Sequence, residues 1–136
     1  MTRESKHPQI FSDIVVLFEI YYRIHEGMPK SFRVAVSEKV LDRLSNAMHF
    51  IILANNVDKK TKIGREQGAL NISHLKGDIE IAWSFILLAW KLKFVSNGAM
   101  AELSQRFEDI SSQALKWEKR FLNLSYEPLA NSTIIN

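Results

Sequence analysis

The chain contains no cysteine, so neither disulfides nor thiolate metal sites are open to it. Glycine and proline are scarce, five and three in 136 residues. No Asn-Gly or Asp-Gly signal separates alternating apolar runs, which argues against hairpins and for long uninterrupted helices. Long hydrophobic runs are also missing. The longest unbroken one is Phe85 to Trp90, six residues, against roughly 20 for a membrane span. The first nine residues are polar and mixed in charge, and Asp13 and Glu19 interrupt the apolar pattern that follows. That pattern argues against a secretory leader, and a cytoplasmic protein with no membrane partner is the expectation.

Catalytic signatures are absent as well. The sequence has no Gly-x-Ser-x-Gly elbow and no Gly-x-x-x-x-Gly-Lys phosphate loop. A di-iron bundle needs paired Glu-x-x-His motifs on inward-facing helices, and the sole instance here is Glu4 to His7, in the expected N-terminal tail. His25, His49 and His74 fall on different segments. His74 and Asp78 are four apart and able to pair on a helix surface. No catalytic residue, cofactor or metal ligand is therefore expected, and the chain is not read as an enzyme.

What the sequence has is helical periodicity. Ile10, Phe11, Ile14, Leu17, Phe18, Tyr21 and Ile24 define a first helix that Met28-Pro29 stops. Val36, Val40, Leu41, Leu44, Ala47, Met48 and Ile51 define a second over 31–55, with Ser31 as a candidate cap. Residues 57–66 read as a basic connector whose flexibility is marked by Gly64 and Gly68. A third helix starts within 69–75 and ends near Ser96, "SNGAM" is a turn, and a fourth runs through Met100, Leu103, Phe107, Ile110, Ala114, Trp117, Phe121 and Leu124. Four long helices on short links make an all-α, up-down-up-down four-helix bundle the economical fold. It is expected over 10–125, between flexible tails at 1–9 and 126–136.

The third helix is greasier than one core needs. "IEIAWSFILLAWKLKF", residues 79–94, has only Glu80, Ser84, Lys91 and Lys93 as polar residues. One stripe, Ile72, Leu75, Ile79, Ala82, Ile86 and Ala89, suits the chain's own core. A second contains Trp83, Leu87, Trp90 and Phe94. Each helix of a bundle keeps an outward side, so this stripe, helped by Val16 and Ile20, is expected to meet another copy of the chain.

Net charge is +3 with a pI of about 9.2, compatible with polyanionic partners without requiring them. The segment 30–66 concentrates Lys30, Arg33, Lys39, Arg43, Lys59, Lys60, Lys62 and Arg65 against Glu38, Asp42, Asp58 and Glu66. Such residues can neutralise phosphates and release counterions. An ordinary solvated face laced with ion pairs is the plainer reading of composition alone.

The stretches "EGMPKSFRVAVSEKVLDRLSNAMHFIILANN", "LAWKLKFVSNGAMAEL" and "FEDISSQALKWEKRF" resemble the accessory variability determinant (Avd) of diversity-generating retroelements. They are also similar to the four-helix proteins encoded in ribosomal RNA intervening sequences. The resemblance covers about 14–122 and rests on a Pro-Lys turn, a third helix ending in Leu-Lys, a short turn and a late tryptophan, Trp117. It implies a protomer that assembles into a homopentameric barrel with a basic surface for RNA or DNA, and in the retroelement branch a partnership with a reverse transcriptase during mutagenic cDNA synthesis. Avd proteins commonly carry arginines in mid-helix 3, and Trp83 to Leu88 has none. The nucleic-acid candidates are then Arg33, Lys39, Arg43 and the connector lysines, with Lys30, Arg65, Lys91 and Lys93 beside them. The intervening-sequence branch implies instead an oligomeric scaffold that binds no nucleic acid.

Overall fold

The protein is described by a computed structural model that covers the backbone of residues 8–135 and the side chains of 8–123. Among these residues the chain is all-helical, with four long helices and no strand. Helix α1 is Gln9–Glu26. Helix α2 is continuous over 30–55 and has three parts: an α-helical turn Lys30–Phe32, a π-helical turn Arg33–Ser37 and an α-helix Glu38–Asn55. Helix α3 is Lys62–Lys91 and α4 is Asn97–Ile135. The backbone of 126–135, expected as a loose tail, continues α4, while the side chains there and residues 1–7 of the expected N-terminal tail lie outside the described residues.

Cross-helix contacts fix an antiparallel order. Rising residue numbers in α2 meet falling ones in α3: Phe32 packs on Phe94 beyond the end of α3, Arg43 pairs with Asp78, and Phe50 stacks on His74. Trp83 against Phe107 and Lys76 against Glu118 repeat this between α3 and α4. Gln113 donates to Asp13 to join α4 to α1. Neighbours touch and diagonal pairs do not, giving the up-down-up-down square. Its axis is filled by Ile14, Leu17, Val40, Leu44, Ile72, Leu75, Ile86, Leu103 and Ile110, all essentially inaccessible.

Three local features depart from the sequence reading. The connector is shorter than expected, because Thr61 caps α3: its hydroxyl accepts from the Gly64 amide at 3.0 Å. Gly64 and Gly68 therefore lie inside the helix, and both are close-approach positions. A Cβ on Gly64 would run into the Asp58 carbonyl, and one on Gly68 into the Phe121 ring. Composition cannot distinguish such glycines from flexible ones. The turn after α3 is also tighter, since Ser96 accepts from the Ala99 amide and α4 begins at Asn97. Third, His74 and Asp78 do not pair with each other. Asp78 binds Arg43 at 3.0 Å, and His74 lies against Phe50.

Candidate nucleic-acid interface

Helix packing divides the basic residues into two groups. At one end of the bundle, α1 stops, α2 begins and α3 turns into α4. Phe32 and Phe94 pin that corner with ring centroids 4.7 Å apart. Arg23, Lys30, Arg33, Lys91 and Lys93 gather there with Glu26, Glu38 and Glu102 at the same levels, an excess of two among the described residues. At the other end, the α2–α3 connector and the lower half of α4 bring together, among the described residues, Lys59, Lys60, Lys62, Arg65, Lys116, Lys119 and Arg120 against Asp58, Glu66 and Glu118, an excess of four. The two ends are separated by the length of α2, roughly 37 Å at 1.5 Å per residue.

The waist between them is acidic. Asp13, Glu19, Asp42, Asp78, Glu80, Glu108 and Asp109 outnumber Lys39, Arg43, Lys76 and Arg106 by three. Three of these four cations are in ion pairs: Arg43 with Asp78, Lys76 with Glu118 and Arg106 with Glu102. Lys39 and Arg43 are thus separated from the other candidates and sit among carboxylates. A polyanion meets attraction at the ends of the bundle and repulsion along its sides.

Two details shape the first end. Lys93 has φ 68°, the left-handed conformation that glycine adopts most cheaply. Its amide donates to Trp90 O and that of Phe94 to Ala89 O, closing a Schellman cap on α3. The lysine charge lies beside the negative end of the helix dipole, which offsets part of the backbone cost. The π-turn Arg33–Ser37 is the other detail. It lets Phe32 and Ser37, five residues apart, both face inward, where regular α-geometry would bring in Arg33. Arg33 is left half-buried at the corner.

Ser37 occupies a buried polar cluster. Its hydroxyl lies 2.6 Å from Tyr21 Oη and 2.7 Å from His25 Nδ1. With neutral His25, one arrangement satisfies all three: Tyr21 donates to Ser37, and Ser37 donates to the imidazole. Burial pushes the Tyr21 phenol above its ordinary value, with the Ser37 hydrogen bond opposing in part. This is a Ser-His contact without access to solvent, since Ser37 is wholly buried. Among the described residues no three His, Asp or Glu side chains gather as a metal site would need. Glu4 and His7 lie outside them.

Of the apolar residues expected at a copy-to-copy contact, Trp90 and Val16 are exposed, 38% and 39%, and Trp83, Leu87, Phe94 and Ile20 are partly buried. Trp83 packs on Phe107, Phe94 on Phe32, and Trp90 donates its indole N–H to Asn97 at 2.8 Å. A further apolar stripe, on another side of α3 and its C-cap, is Ile81, Phe85, Leu88 and Leu92, spaced four, three and four. Phe85 is half-buried and the other three are 37–50% exposed. It continues the helical side on which His74 and Asp78 meet α2. With apolar residues all round the segment, periodicity could not choose between the two stripes.

The sequence reading missed Lys116, Lys119 and Arg120. Over 97–125 the charges of α4 balance to zero, which hides an axial division. Its carboxylates Glu102, Glu108 and Asp109 precede its basic cluster. Reading charge by position along each helix would have found it. Compared with protein-family models, curated proteins and solved structures, the chain matches none. No described helix is long and apolar enough to cross a membrane.

Proposed function

We propose that this chain is a non-catalytic, nucleic-acid-binding accessory protein of the Avd type, working as a homopentamer beside a reverse transcriptase during mutagenic cDNA synthesis. The observation that carries this reading is the axial charge pattern, basic at both ends and acidic at the waist. In a ring of parallel protomers each end becomes a basic rim, and phosphates engage the rims in preference to the barrel wall. Lys93 adds support. A lysine held where glycine is cheaper fits a position kept for its charge.

The test is an anisotropy titration of the full chain with template-like RNA and with duplex DNA at about 50 mM salt, where phosphate contacts are strongest. Binding that weakens when Lys30, Lys91 and Lys93 are reversed to glutamate supports the proposal. No binding to either probe overturns it.

A second reading is favoured by one observation, the exposed stripe Ile81, Leu88 and Leu92. An oligomeric scaffold of the intervening-sequence type would use that stripe to assemble and would leave nucleic acid alone. It predicts that Lys59→Glu, Lys60→Glu and Lys62→Glu together leave assembly and protein-partner binding intact.

A further inference from the structure

Of the three tryptophans, Trp90 alone is exposed. Its exposure is 38%, whereas Trp83 is half-buried against Phe107 and Trp117 lies in the core at 8%. For a side chain of this size that leaves on the order of 80 Å² of indole in water. The ring is held by its edge: Nε1–H donates to Asn97 Oδ1 at 2.8 Å, across the α3–α4 turn. With that donor engaged, the surface left to a partner is the π-face. No other ring among the described residues lies against it. The first turn of α4 adds no cover, since Gly98 and Ala101 are small and exposed, and a Cβ on Gly98 would meet nothing within 4 Å.

Cations flank this ring. Lys91 follows it in the helix and is exposed. The Lys93 amide donates to Trp90 O at 2.9 Å, which brings the left-handed Lys93 to the same end. Among the described residues neither lysine forms an ion pair. Glu102, the first carboxylate of α4, is held by Arg106 at 3.2 Å. A fixed flat ring bracketed by flexible ammonium groups matches the repeat of an unpaired strand, in which base and phosphate alternate. A duplex offers its phosphates but keeps its base faces inside the stack. The lysines would serve it and the indole would not.

We infer that Trp90 is a stacking platform for one unpaired base, with Lys91 and Lys93 on the adjoining phosphates. This end of the bundle then takes single strands through a contact that a duplex does not make. The inference rests on the nucleic-acid reading above and narrows it: that reading needs only charge, and this one needs bases.

The test is a set of anisotropy titrations of the full chain. One probe is an oligothymidine of about ten nucleotides, whose bases neither pair nor stack strongly on one another. The others are the abasic strand of the same length and a duplex of about twenty base pairs. The oligothymidine is expected to bind about tenfold more tightly than the abasic strand. Trp90→Leu should erase that difference and leave the abasic affinity, the duplex affinity and the salt slope unchanged. Trp90→Phe, which keeps a flat ring, should retain part of the difference. Lys91→Gln with Lys93→Gly, the second suited to the left-handed backbone, should weaken both strands alike and shallow the salt slope by roughly 0.7 per cation. The inference is overturned if the abasic strand binds as tightly as the oligothymidine, or if Trp90→Leu weakens all three probes equally or none. It is also overturned if native mass spectrometry shows Trp90→Leu changing the number of protomers, which would make the indole a contact between copies. The comparison of the two strands needs no variant and stands even where a substitution unfolds the chain. Equal binding of base-bearing and abasic strands removes this inference and keeps the accessory-protein reading. No binding of any probe removes both.

Discussion

The smallest groups in the bundle govern its most specific behaviour. Tyr21 is buried, and its raised pKa means that the folded chain retains the phenolic proton at a pH where the unfolded chain releases it. Its contribution to stability is whole below the ordinary value of 10.0 and is lost as pH rises beyond it. Denaturant melts should therefore show stability falling above about pH 10, and Tyr21→Phe should flatten that decline. The same variant should lose about 1 kcal/mol at neutral pH by leaving Ser37 a partner short. Gly68 is a packing residue, because the Phe121 ring occupies the space a side chain would need. Gly68→Ala ought to destabilise the fold by about 1–3 kcal/mol, through overpacking that outweighs any gain in helix propensity. An alanine variant more stable than the parent would show that the helices can separate there at no cost.

Among the elements, the four helices and their antiparallel order follow from periodicities visible in the sequence. Ile72, Leu75, Ile79, Ala82, Ile86 and Ala89 do form the inner stripe of α3. Less visible were features decided between helices. The π-turn depends on Ser37 meeting Tyr21 and His25 across the α1–α2 seam. The partner of Asp78 is an arginine thirty-five residues away, where sequence spacing suggested His74. The basic ends needed antiparallel packing to bring residues 30–33 beside 91–93. That Arg43–Asp78 pair joins α2 to α3 with the carboxylate side chain 6% exposed. Arg43→Ala would leave a buried charge unpaired, and thermal or urea melts should report a loss of about 2–3 kcal/mol. Lys39→Ala, on the exposed side of the same helix, should change stability by less than about 0.5 kcal/mol.

For the molecule as a whole, surface chemistry is divided by direction. The ends attract anions, the waist repels them, and α3 carries an apolar stripe along its outer side. A monomer leaves Ile81, Leu88 and Leu92 in water, which is why assembly is expected. Native mass spectrometry at micromolar concentration should find several protomers, and Ile81→Glu with Leu88→Glu should yield single ones that keep their helical circular dichroism. Dissociation by Trp90→Glu and not by this pair would move the contact to the α3–α4 edge.

The central claim, that the basic ends hold phosphates, is tested most directly by the salt dependence of nucleic-acid affinity. The account predicts a linear fall of log Kobs with log salt. Its slope should shallow by about one for each phosphate-contacting cation removed among Lys30, Lys91 and Lys93, and stay unchanged in Lys39→Ala at the waist. A slope near zero, or one indifferent to the loss of all three end lysines, would contradict it.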